Sequence, residues 1–134
     1  MARQGLEILH NPLLNHGTAH TREEREHQGL RGLLPYQVIP QEVQVARVLN
    51  RFNAASDALA KYKILTNLQD RNEALFYRVV TDNIETMMPI IYTPTVGQAC
   101  QEFSHLFRRS RGMYLTIEDR GAVADVLANW PIDD

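Results

Sequence analysis

The sequence predicts a mostly α-helical fold with two short extended segments, incomplete as a sheet architecture. Three observations carry that expectation. Apolar residues recur at three- and four-residue steps over most of the chain, cap residues stand ahead of these runs, and only "IIY" and "GMYLTI" have strand character.

Residues 1–20 carry few charges and no helical period, which predicts an extended N-terminal arm ahead of one folded unit over residues 21–134. "TREE" fits a capping box, in which Thr21 accepts from the third helical N–H and Glu24 reaches back. A short helix should follow and stop near Gly29 or Gly32, before Pro35. Pro40 then opens an amphipathic helix with Val45, Leu49 and Phe52 on one face. Ser56 reads as the cap of the next helix, whose face is Leu59, Tyr62, Leu65 and Leu68. That pattern either continues or breaks into a second run carrying Leu75, Phe76 and Val79. Thr81 starts a further short helix, ended by Pro89.

"IIY" is β-branched and bounded by Pro89 and Pro94, so it reads as extended. "TPTVGQACQEFSHLF" reads as a helix with proline at its start, carrying Val96, Cys100, Phe103 and Phe107 inward. "GMYLTI" alternates as a strand. "EDRGAVADVLANW" is a last helix before Pro131, with Trp130 packing at its end. Seven or so helices with so little strand look like the front of something larger.

Composition excludes several function classes. The 134 residues are 44% hydrophobic and 22% charged with a net charge of −2, an ordinary globular balance with no basic excess for nucleic acid or membrane surfaces. No stretch approaches the ~20 apolar residues of a membrane-spanning helix, and residues 1–20 lack the pattern of a secretory signal. The single cysteine, Cys100, can form no internal disulfide, which favours a reducing compartment and a cytoplasmic reading.

Tyr92 falls just before a proposed helix start. Pro94 supplies the φ suited to a first helical turn, whose free N–H groups carry partial positive charge. Such a setting favours a phenolate and makes the hydroxyl a better proton donor. Gly97, one turn on, leaves the helix surface bare. Spacing alone fits a packed tyrosine as well, with its ring buried and its hydroxyl bonded.

The segments "GLRGLLP", "LQDRNE", "LFYRV", "MPIIYTPTVG", "FRR" and "NWP", in this order, resemble the N-terminal region of malic enzymes, the decarboxylating malate dehydrogenases. The resemblance runs from about Asn11 to Pro131, and "YTPTVG" at this distance from "LQDRNE" is highly specific. It implies the N-terminal helical part of an α/β enzyme, with residues 21–134 a truncated N-terminal malic enzyme domain that lacks the dinucleotide-binding domain. The implied reaction oxidises L-malate to pyruvate and CO2 with NAD or NADP and a divalent Mg or Mn ion. Tyr92 would be the general acid that protonates C3 of enolpyruvate. The lysine base, a malate-binding arginine, three acidic metal ligands and the dinucleotide fold lie further along in the family. Here the only lysines, Lys61 and Lys63, precede Tyr92. No metal or cofactor site is therefore assigned to this chain, and alone it is expected to be inactive.

The resemblance also implies a homo-oligomer, dimer or tetramer. Some family members bind fumarate through two arginines, and Arg47 and Arg71 stand at the matching positions with Gln44 nearby. Two guanidinium groups can clamp a dicarboxylate; equally, both could pair with neighbours such as Glu73. A supporting acidic residue of that site is Ile39 here. Asp119 matches a subunit-contact position, but its accompanying histidine is replaced by Ala122.

The remaining features read plainly. Arg108, Arg109 and Arg111 form a basic knot without interleaved aromatics, which is no nucleic-acid site. Ser110 stands where the family carries proline, so a looser turn is expected there. His16 and His20 have metal-ligand spacing, but Gly17 and Pro12 favour a loop and solvated arm residues. Cys100 sits on the apolar face of its helix and reads as a buried small hydrophobe. A competing reading of the whole is a non-catalytic helical binding or assembly module descended from such an enzyme.

Overall fold

The computed structural model describes residues 5–130, among which it has nine α-helices, two 3₁₀ turns and no strand. The expected stop at Pro131 lies outside the described residues. The mostly helical expectation holds. The two extended segments do not form strands: Ile90 and Ile91 belong to a helix, and residues 112–116 have no regular structure.

The arm is not extended throughout. Residues Leu6–His10 form a short helix, α1, whose Ile8 is 4% exposed, and Gly17–Ala19 form a 3₁₀ turn. The capping box is present as the sequence predicts. Thr21 Oγ1 accepts from Glu24 N–H at 3.2 Å and Glu24 Oε2 accepts from Thr21 N–H at 2.7 Å, opening α2 over Arg22–His27. α2 stops before Gly29, whose φ of +67° suits glycine, and Gly5 N–H reaches the adjoining Gln28 carbonyl at 2.7 Å.

α3 spans Gln41–Ala54 behind Pro40, with Val48 and Phe52 buried and Val45 and Leu49 packed against them. α4 spans Ala58–Arg71. Its cap is Asp57, not Ser56: Asp57 Oδ1 accepts from Ala60 N–H at 2.8 Å, while Ser56 Oγ donates to the other Asp57 oxygen at 2.7 Å. A carboxylate is the stronger acceptor, so the serine supports the cap.

The open question of one helix or two is settled at Asn72. This residue is 5% exposed, ends α4 and caps α5, Glu73–Asp82, by accepting from Leu75 N–H at 2.9 Å. Leu65, Leu68, Phe76 and Val79 close against Phe52 across the bend. Thr81 is no cap. It lies inside α5 and donates to the Tyr77 carbonyl, and α6, Ile84–Ile91, follows from Asn83.

α6 runs through Pro89 and takes in Ile90 and Ile91, where an extended segment is expected. Proline there forfeits one backbone bond, and the burial of Met87 and Ile90 in the core outweighs it. Thr95 Oγ1 donates to the Pro89 carbonyl at 2.7 Å and ties the turn beyond. α7, Thr95–Gln101, and α8, Phe103–Leu106, replace the single helix expected there. They bury Thr95 and Ala99, leaving Phe103 47% and Phe107 49% exposed. The two rings instead gather with Tyr114 at centroid distances of 5.6 to 6.2 Å. "GMYLTI" leads into a capped 3₁₀ turn at Ile117–Asp119, and α9 spans Val123–Ala128.

The Asn72 cap should be worth about 1–2 kcal/mol in urea unfolding when changed to Ala. Asn72→Ser keeps an acceptor and should lose less; equal losses would mean that the cap is not what holds the bend.

Candidate functional site

Tyr92 sits at the junction of α6 and α7. Its N–H donates to the Met88 carbonyl at 2.9 Å, closing α6, and its own carbonyl accepts from Val96 N–H at 2.9 Å, starting α7. The backbone is thus fixed on both sides while the residue is 61% exposed. Among the described residues the ring is not packed into a core, and the phenol stands on a turn held at both ends.

Gln44, Arg47 and Arg71 come together, as their spacing could not show. α3 supplies Gln44, Arg47 and Arg51, the end of α4 supplies Arg71, and residues 15–18 form the facing wall of a cavity of about 270 Å³. The expected alternative partner is taken: Glu73 and Asp70 both pair with Arg111, the Asp70 contact at 3.0 Å. Among the described residues, Arg47 and Arg71 have no carboxylate within ion-pair distance. Cationic side chains facing one cavity, without internal counterions, suit a small anion. Gln44 does not point its donors at such an anion. Its Nε2 donates to Thr18 Oγ1 at 3.1 Å and to the His16 carbonyl at 3.3 Å, so it braces the wall.

The basic knot folds back on α4. Arg108 donates to Asn67 Oδ1 at 2.9 Å, Arg109 to the Asp70 carbonyl at 3.2 Å, and Arg111 spans Asp70 and Glu73. These guanidiniums anchor the 108–112 segment, and Ser110 closes its turn by donating to the Gly112 carbonyl at 2.8 Å. Asp119 is occupied locally: its Oδ2 accepts from Thr116 N–H at 2.7 Å and from Thr116 Oγ1 at 3.1 Å. Trp130 is 42% exposed, so it does not pack as expected, and it lines an open cavity of about 1120 Å³ with Arg109 and Tyr114. Cys100 is exposed, against the expectation of burial, because α7 turns Ala99 inward instead.

The largest departure is at His20, expected to be a solvated arm residue. It is 1% exposed, with its ring stacked 5.0 Å from that of His16. Burial, His16 and Arg25 hold it below the usual histidine range, with Glu24 acting the other way. His16, His20 and Glu24 bring ligand-capable atoms within 4.8 Å of one another. His20 Nε2 already accepts from His16 N–H at 3.1 Å, so the neutral ring carries its proton on Nδ1, the atom facing Glu24.

Sequence reasoning gave no sign of Arg25. It is 6% exposed, and its guanidinium donates to the carbonyls of Thr18, His20, Pro35 and Tyr36 at 2.7 to 3.2 Å. Only its place one residue after the capping Glu24 hinted at an inward face.

No helix of the described residues is long and apolar enough to cross a membrane. Residues 69–134 match the family model described as malic enzyme, N-terminal domain. Over 129 residues the chain is 50% identical to the NADP-dependent malic enzyme of Anas platyrhynchos, covering 96% of this chain and 23% of that protein. It is 48% identical over 127 residues to NADP-dependent malic enzyme 1 of Arabidopsis thaliana, covering 95% and 22%. With the same plant's NAD-dependent malic enzyme 1, mitochondrial, the identity is 47% over 141 residues, covering 98% and 23%. The chain thus spans about a fifth of the length of these relatives, 22% to 23%.

Arg111→Ala should lower unfolding stability by about 1 kcal/mol, a discounted value for a partly exposed pair. Urea titration checks it, and a loss above about 3 kcal/mol would mean a buried pair instead.

Proposed function

We propose that the chain belongs to the malic enzyme family and is the amino-terminal part of an enzyme that oxidatively decarboxylates L-malate. In that reaction C2 of malate gives up a hydride to NAD or NADP, the β-carboxylate leaves as CO2, and the resulting enolpyruvate takes a proton at C3. The observation that carries the reading is Tyr92, an exposed phenol on a turn fixed at both ends, within the "YTPTVG" motif. Its part is the last step. The hydroxyl delivers a proton to C3, the enol O–H proton goes to a base, and pyruvate forms; solvent restores the phenol. A weak acid held rigidly suits delivery to carbon, which is slow without positioning.

In that reaction a dinucleotide would accept the hydride and a divalent metal ion would stabilise the developing negative charge. Those groups and the lysine base would belong to the remainder of the enzyme, and the chain alone would not turn over malate. The exposed Ile84, Met88, Phe103, Phe107 and Leu127 favour cover by more protein, either that remainder or a second subunit of a homo-oligomer. Asp119 is a candidate for the subunit contact. A reducing compartment such as the cytoplasm fits the free Cys100.

The Gln44–Arg47–Arg71 cavity supports a regulatory role beside the catalytic one. Arg47 and Arg71 would clamp a dicarboxylate of fumarate's size, with Gln44 bracing the wall. That cavity also favours the competing reading, a non-catalytic dicarboxylate-binding module.

Tyr92→Phe in the complete enzyme should lower kcat by about a hundred- to ten-thousandfold and leave dinucleotide binding near normal; unchanged turnover would remove Tyr92 from the reaction. The two readings separate by the intact mass of the natural polypeptide carrying "YTPTVG". A mass several times 15.4 kDa is expected, and 15.4 kDa itself would favour the module. Fumarate binding, measured by calorimetry, should be lost in Arg47→Ala and Arg71→Ala alike; binding that survives both would place the ligand elsewhere.

A further inference from the structure

Residues 15–20 form a strap along the Gln44–Arg47–Arg71 cavity, held by hydrogen bonds and by the buried His20 ring stacked on His16. Asn15 Nδ2 donates to the Arg71 carbonyl at 3.0 Å, and Asn15 Oδ1 accepts from Gly17 N–H at 2.8 Å. Gln44 donates to the His16 carbonyl and to Thr18 Oγ1, and Arg25 to the Thr18 and His20 carbonyls. Ile39 N–H also holds the Thr18 carbonyl at 2.9 Å, and within the strap His16 N–H donates to His20 Nε2 at 3.1 Å. Asn15, Gly17 and Thr18 of this strap line the cavity with Arg47 and Arg71.

That last bond needs a neutral imidazole. His20 Nε2 can accept only while its lone pair is free, and a second proton can go nowhere else, since Nδ1 already carries one. With both nitrogens protonated, two N–H groups would face each other and the bond to His16 could not persist. His20 Nδ1 is buried without a partner, and the nearest carboxylate oxygen, Glu24 Oε2, is 3.7 Å away. The charged or titratable groups facing the ring are the stacked His16 on the strap and Glu24 and Arg25 on α2. Glu24 alone among them welcomes a charged ring.

We propose that His20 is a proton-operated latch on the 15–20 strap: protonating it opens one wall of the Gln44–Arg47–Arg71 cavity and weakens anion binding there. The inference rests on the anion-binding reading of that cavity given above. The direction of the pH effect follows from linkage. His20 is held below its ordinary value of 6.5 when the strap is closed, so the open strap takes up the proton more readily. The closed form is fully favoured above that ordinary value and is lost as the pH falls through the lowered one. Glu24, held below 4.5 chiefly by the Thr21 N–H, titrates in a separate and lower window.

The test is calorimetric titration of fumarate, largely dianionic throughout, into the full chain at pH 7.5 and 5.5. Affinity should fall roughly fivefold at the lower pH, the effect of one lost hydrogen bond. His20→Gln keeps an acceptor for the His16 N–H but does not titrate, and its affinity should stay level. His16→Gln keeps the backbone donor and should still lose affinity at low pH, with the loss starting at a higher pH because the stacked ring that holds His20 down is gone. Tighter binding at pH 5.5 would mean that the added charge acts directly on the anion, and would overturn the latch. NMR supplies the second arm. The His16 amide and the Gln44 side-chain amide should shift together with the His20 ring, and neither should do so in His20→Gln. If fumarate binds at neither pH, the anion reading of the cavity falls while the latch is still judged by these signals. A His20 ring that titrates while they stay fixed refutes it.

Discussion

The bend at Asn72 is the constraint on which the rest of the structure hangs. One buried amide ends α4 and caps α5, and the two helices close their apolar faces on Phe52. The same six residues, Leu68–Glu73, receive the other parts of the chain. Asn15 and the Pro12 carbonyl reach them from the arm, at the Arg71 carbonyl and the Glu73 N–H. Arg109 and Arg111 reach them from the segment beyond α8. Arg71, at the end of α4, lines the same cavity as Arg47 of α3. A straight helix through residue 72 would separate the cavity lined by Arg47 and Arg71, the arm and the basic segment at once.

Arg25 plays the corresponding role for the first forty residues. Its guanidinium gathers carbonyls from two loops that would otherwise have no buried donor to answer them. The charge is met by carbonyl dipoles, with no carboxylate in contact, so the site holds one cation comfortably and a second one poorly. That charge adds to the burial and the stacked His16 that together hold His20, in the same buried layer, below the usual histidine range. The strap is thus held to the edge of the helical core by hydrogen bonds together with the buried His20 ring.

Helix content, the capping box at Thr21 and the core positions of α3 to α5 were legible because each is local, set by spacing within one turn or by apolar period. The errors have nonlocal causes. Pro89 and Ile90–Ile91 looked like a break and a strand, but burial of Met87 and Ile90 carries α6 through the proline. Cys100 and Phe107 fall on an apolar stripe, yet the turn from α7 into α8 leaves both outside. His20 and Arg25 look like surface residues in any window, and only the loops folded over α2 bury them. The arginine pair was named from resemblance; what the sequence could not supply is that Glu73 is spoken for by Arg111, leaving Arg47 and Arg71 without a carboxylate in the described structure.

The role given to Tyr92 is tested most directly on the half-reaction that involves it alone. Pyruvate methyl protons exchange with deuterated water when an acid and a base interconvert keto and enol forms, with no hydride transfer and no CO2. Exchange should be followed by NMR with the complete polypeptide, wild type and Tyr92→Phe. The account predicts deuterium uptake by the wild type and uptake at the uncatalysed rate by the variant. Equal uptake by both would contradict it and would assign the proton to another group.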